Sequence, residues 1–194
     1  MFIKANILKK LMKEAFKANF LIIGRKEDDY YIQGVYWKFL CNKNFIPKTI
    51  YAQIIELAGE IPDEGECFCS GKGGNQMQIN SMEIEIPGKA ERVDMTDLVL
   101  EHKTGTEQRI LQFENGFNVL INNMFAVAVK GKNYEEELGE LPPEGPYCHI
   151  AHGVFWENNV MRFQAAFRQD DEHERMLKNM GTISLTEKDE ISNG

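Results

Sequence analysis

Long hydrophobic runs are missing from this 194-residue chain. Nothing in it approaches the roughly 18 consecutive apolar residues of a membrane-crossing helix, so no membrane partner is expected. The first twenty residues, MFIKANILKKLMKEAFKANF, interrupt their apolar positions with lysine every few places. That excludes the uninterrupted apolar centre of a secretory signal. Cysteine is scarce as well: Cys41, Cys67, Cys69 and Cys148 are too few and too irregularly spaced for a disulfide framework. Reduced thiols in a cytoplasmic compartment are the expectation. A serine elbow and a dinucleotide-binding glycine fingerprint are also lacking. No catalytic residue is therefore assigned, and the chain is read as a non-enzyme without a cofactor.

One stretch does look like a site. ECFCSGKGGNQMQ, residues 66–78, sets two cysteines beside a glycine-rich loop with a lysine. A phosphate-binding loop needs a longer glycine frame, with Ser or Thr after its lysine and a helix beyond. SGKGGN has none of these, and its flanks fit a hairpin in which Gly73 and Gly74 are free to take positive φ. As a metal site the stretch offers Cys67 and Cys69, which a strand would point to one face. CHIAH adds Cys148, His149 and His152, and thiolates with imidazoles suit zinc. The usual two-residue gap between paired cysteines is absent, so no metal ligand is assigned. DDEHE, from Asp170 through Asp171 and Glu172 to Glu174, reads as a solvated face, because adjacent helical residues point in different directions.

Periodicity predicts an α+β protein in which two amphipathic helices pack on antiparallel sheets. After a β-prone start at Phe2–Ala5, helix 1 is expected over 6–18, with Asn6 as N-cap and Asn19 near its end. Helix 2 is expected over 47–58, opened by Pro47 and closed by Gly59. Residues 20–43 read as strands turning at Glu27–Asp29 and near Gly34. From Thr96 onward the chain reads as mostly β, except that MFAVAV, within 122–130, fits either a short helix or the return arm of a hairpin. The expected organisation is an α+β half over 1–88, a mostly β half over 89–168, and an exposed helix with a flexible tail over 169–194. Leu8, Leu11, Phe16, Ile22, Trp37, Ile54, Leu57, Phe113, Phe155 and Phe163 are the expected core.

Charge is unevenly laid out. The formal net charge is −8, yet residues 1–50 carry ten Lys and Arg against four Asp and Glu. The remainder is strongly acidic. On helix 1 the apolar stripe leaves Lys9, Lys10, Lys13 and Lys17 on the outer side, with Lys4 just before them. Such a strip can simply solubilise a helix, or it can meet phosphates, which need only positive charge along a track.

The order of elements, with FIKANILKKLMKEAF as a first strand–helix pair and IPKTIYAQIIELAGEIPDEGECFCSG as a second helix leading into a strand, resembles the domain pattern of DNA sliding clamps. FNVLINNMFAVAVKG and YCHIAHGVFWENNVMRFQAAFR are similar to a partial repeat of it. The resemblance covers most of residues 1–168 and lies in the order of elements, without a residue-level signature. It implies that helix 1 faces duplex DNA inside a ring or half-ring, and hence that the chain forms a homo-oligomer. The expected function is that of a non-catalytic binding protein in DNA transactions, a clamp-like accessory factor. A competing reading is an acidic inhibitor of the phage-borne kind. It would bind a nucleic-acid-processing protein partner through Glu135, Glu136, Glu137, Glu140 and Glu144. A small zinc-dependent enzyme ranks third.

Overall fold

The computed structural model describes residues 1–102, 105–129, 139–168 and 174–185. Helix α1 runs over Ala5–Lys17 and buries Leu8, Leu11, Met12 and Ala15, the stripe that its periodicity marks. It begins one residue earlier than expected. Lys4, not Asn6, holds the N-cap position with extended backbone and no side-chain cap. Tertiary contact sets this entry, because Phe2 and Ile3 are buried and the Lys4 amide donates to Ala128 O. The same burial replaces the expected opening strand. At the other end Asn19 takes φ 55. Its amide donates to Phe16 O and that of Phe20 to Ala15 O, a paired C-terminal closure that needs a left-handed residue at this point.

Three strands follow as a meander: β1 (Leu21–Lys26), β2 (Asp29–Gly34) and β3 (Trp37–Asn42). Helix α2 (Lys48–Ala58) starts after Pro47 and stops at Gly59, whose φ of 79 suits a residue without Cβ. Strands β4 (Cys67–Gly71) and β5 (Gly74–Met77) form the hairpin read from the glycine-rich stretch, with Gly74 at φ 93. Strands β6 (Glu91–Glu101), β7 (Glu107–Phe113) and β8 (Asn118–Asn122) form a second meander. The ambiguous 123–129 segment is helical, as α3 (Asn123–Val129), with the Met124 amide capped by Asn122 Oδ1. Strands β9 (Glu144–His149), β10 (Gly153–Glu157) and β11 (Met161–Ala165) close the sheet, and α4 (Glu174–Met180) lies beyond them.

Among the described residues all pairings are antiparallel, and the strand order is β5-β4-β1-β2-β3-β11-β10-β9-β6-β7-β8. Residues 1–88 and 89–168 therefore share one sheet, joined where β3 pairs with β11 over Trp37–Cys41 and Met161–Ala165. Helices α1, α2 and α3 contribute to the main core on one face. On the other face a smaller core gathers Ile22, Tyr31, Cys67, Met82, Ile84 and Phe155. The segment SMEIEI, which has no strand partner among the described residues, supplies Met82 and Ile84 to it and leaves Glu83 and Glu85 exposed. Of the ten expected core residues, Phe16 and Leu57 are half-buried against the core and the other eight are buried.

Candidate nucleic-acid interface

The side of α1 opposite its buried stripe carries Lys10, Lys13 and Lys17 exposed, with Lys9 half-exposed beside them. Spacings of three and four residues place their stems next to one another along the helix. Lys4 stands at the N-cap position just before them, half-exposed like Lys9, and its carbonyl accepts from the Ile7 and Leu8 amides. The helix thus presents four lysines as a track, interrupted by exposed Glu14. Lys17 also sits in the last turn, where the helix dipole favours a cation.

Helix α2 lies beside α1 and modifies the track. Glu56 Oε1 is 3.4 Å from Lys13 Nζ, and both side chains are half-exposed or more. Gln53 Nε2 holds the same carboxylate through Oε2 at 3.0 Å. A pair this exposed contributes little to stability, roughly 0–1 kcal/mol, but it sets a negative charge among the lysines. Glu56 is exposed on α2. Its meeting with Lys13 depends on how the two helices pack, which periodicity does not encode.

The five residues weighed for zinc do not converge. Cys67 belongs to the smaller core and Cys69 packs against it. Cys148 lies in the main core on the opposite face of the sheet, and five strands separate β4 from β9. Among the described residues no group of three or more His, Cys, Asp or Glu is placed to hold a metal ion. His149 and His152 do meet, with ring centroids 4.6 Å apart in the β9–β10 turn. His149 Nδ1 there accepts from the Ala151 amide. Burial raises the Cys67 and Cys69 thiols above their ordinary range, and it pushes Cys148 up to about 12. These are protonated core thiols, poor nucleophiles at neutral pH.

The acidic surface is divided too. Glu135, Glu136 and Glu137 lie outside the described residues, as do Asp170, Asp171 and Glu172. Glu174 opens α4. Glu140 is buried, ion-paired to the Met1 α-amino group and accepting from Asn158 Nδ2 at 3.3 Å, so it serves the interior rather than a docking face. Glu144 is exposed at the start of β9 and accepts from the Tyr147 hydroxyl at 3.0 Å.

No protein-family model matches the chain, and no curated protein or solved structure is significantly similar to it.

Proposed function

We propose that this chain is a non-catalytic, cytoplasmic binding protein of DNA transactions, and that α1 is its phosphate-facing surface. The observation that carries the reading is the run of Lys9, Lys10, Lys13 and Lys17 along one accessible side of a helix in an otherwise acidic protein. A basic track on an acidic body favours docking of DNA at one place and disfavours general adhesion. The clamp-like version of the reading draws support from the order of elements. Among the described residues a helix and a three-stranded meander occur in the order α1–β1–β2–β3 and again as α3–β9–β10–β11, and their last strands adjoin. The four cysteines are all free thiols, in keeping with the cytoplasmic part. No helix among the described residues is long and apolar enough to cross a membrane.

The test is fluorescence anisotropy of a labelled duplex at two salt concentrations. Each phosphate neutralised contributes about −0.9 to the log–log slope, so three to four contacts give a slope between about −2.7 and −3.6. Replacing Lys9, Lys10, Lys13 and Lys17 by Glu should remove binding. It should leave the circular dichroism spectrum unchanged, since exposed helix positions tolerate Glu. If the wild-type protein ignores duplex DNA even in low salt, the proposal fails. A protein partner lost on neutralising Glu135–Glu137 would then favour the acidic-inhibitor alternative.

A further inference from the structure

The sheet has two terminal strands, and they are treated differently. Strand β8 is covered: the Arg168 amide donates to Leu120 O at 2.9 Å, and Asn118 Nδ2 reaches the Leu177 carbonyl of α4. Among the described residues strand β5 pairs only with β4, and all four of its residues are exposed. Its backbone orientation follows from the register. Gln78 N donates to Cys67 O, so residues 76 and 74, two and four places earlier, also turn their amides toward β4. Asn75 and Met77 therefore direct N–H and C=O groups outward along the open edge.

Proteins usually guard such an edge with charge, proline or a bulge. None stands on β5 itself, although the Glu60 carboxylate of the neighbouring segment accepts from Asn75 Nδ2 at 2.6 Å. Gly73–Met82 is a stretch of ten residues without a charged side chain or a proline. Met77 and Ile79 stand 69% and 106% exposed, large apolar groups left in water. The occupant is indicated by charge. Two copies of a chain of formal charge −8 repel wherever acidic surfaces approach, and β5, whose own side chains carry no charge, is where they can meet. Around a two-fold axis every residue near the axis meets its own copy, so a self-pairing edge must carry groups complementary to themselves. Gln76, at the middle of the edge, has an amide that both donates and accepts.

We infer that β5 is a self-association edge, pairing antiparallel with β5 of a second copy around a two-fold axis at Gln76. Asn75 of each copy then exchanges backbone hydrogen bonds with Met77 of the other, and the sheet continues across the dimer. Because β8 is covered, the pairing is isologous rather than head-to-tail. Sedimentation of the full chain without DNA, from low to high micromolar concentration, tests this. The wild-type protein should dimerise. Gln76→Glu and Gln76→Lys, which set like charges on the axis, should each be monomeric with unchanged circular dichroism. Mixed in equal amounts, the two variants should recover the dimer. A wild-type protein monomeric at every concentration, or single variants that dimerise as well as wild type, would overturn the inference. So would a mixture that stays monomeric.

Discussion

Arg109 is a buried cation at the β6–β8 end of the sheet, and its bonds explain a local irregularity. Its Nε donates to Asn123 Oδ1 at 2.9 Å and its Nη1 to Thr96 O at 2.7 Å. Thr96 lies where the β6–β7 register shifts between Met95 and Val99, and its hydroxyl donates to Ile110 O at 2.8 Å. A bulge leaves backbone groups without ladder partners. Here the arginine takes up one of those carbonyls and ties it to the first residue of α3. Asn123 in turn donates through Nδ2 to Glu107 Oε2 at 2.7 Å, so the network spans β6, β7 and α3. Arg109→Met keeps the stem but strands two acceptors. It is expected to destabilise the protein by about 2–4 kcal/mol in urea unfolding. A loss within experimental error would mean that water satisfies those groups and that the network holds nothing in place.

At the scale of elements, the two helices bearing on the proposed interface separate local from non-local causes. The stripe of α1, the closing role of Asn19 and the Gly59 stop of α2 were legible because each is a property of a few adjacent residues. The start of α1 was not, since a backbone contact to Ala128, more than a hundred residues away, fixes it. The 123–129 helix was undecidable from pattern because Asn123, Phe125, Ala126, Ala128 and Val129 are all buried, which leaves no polar face to set a period. The lysine track was likewise legible, whereas the intrusion of Glu56 was not. Neutralising that carboxylate tests whether the track works as one surface. Glu56→Gln retains an acceptor for Gln53 and frees Lys13, so duplex affinity at low salt should rise about two- to fivefold. Unchanged or weaker binding in the anisotropy assay would place the DNA contact elsewhere or remove it.

For the whole molecule, the seam between β3 and β11 decides how the chain behaves. The sequence reads as two halves, 1–88 and 89–168, and strand pairing across such a distance has no local signature from which to be read. In the fold, Trp37 of the first half stacks near Phe163 of the second at 6.5 Å, and Trp156 lies 5.9 Å from the same ring. Phe125 of α3 meets Phe163 edge-on at 6.2 Å. Aromatic burial of this kind dominates core energetics, so neither half keeps its core when the other opens. Unfolding is therefore expected as one cooperative transition, with no stable intermediate in which only residues 1–88 or 89–168 are ordered. The chain's two tryptophans make this measurable, one lying on each side of the seam. Trp156→Phe leaves Trp37 to report on the first half, and Trp37→Phe leaves Trp156 to report on the second. In urea, each fluorescence curve should coincide with that variant's own far-ultraviolet circular dichroism curve. Curves that separate, with one tryptophan released well before the secondary structure is lost, would show two halves that fold independently despite the shared sheet.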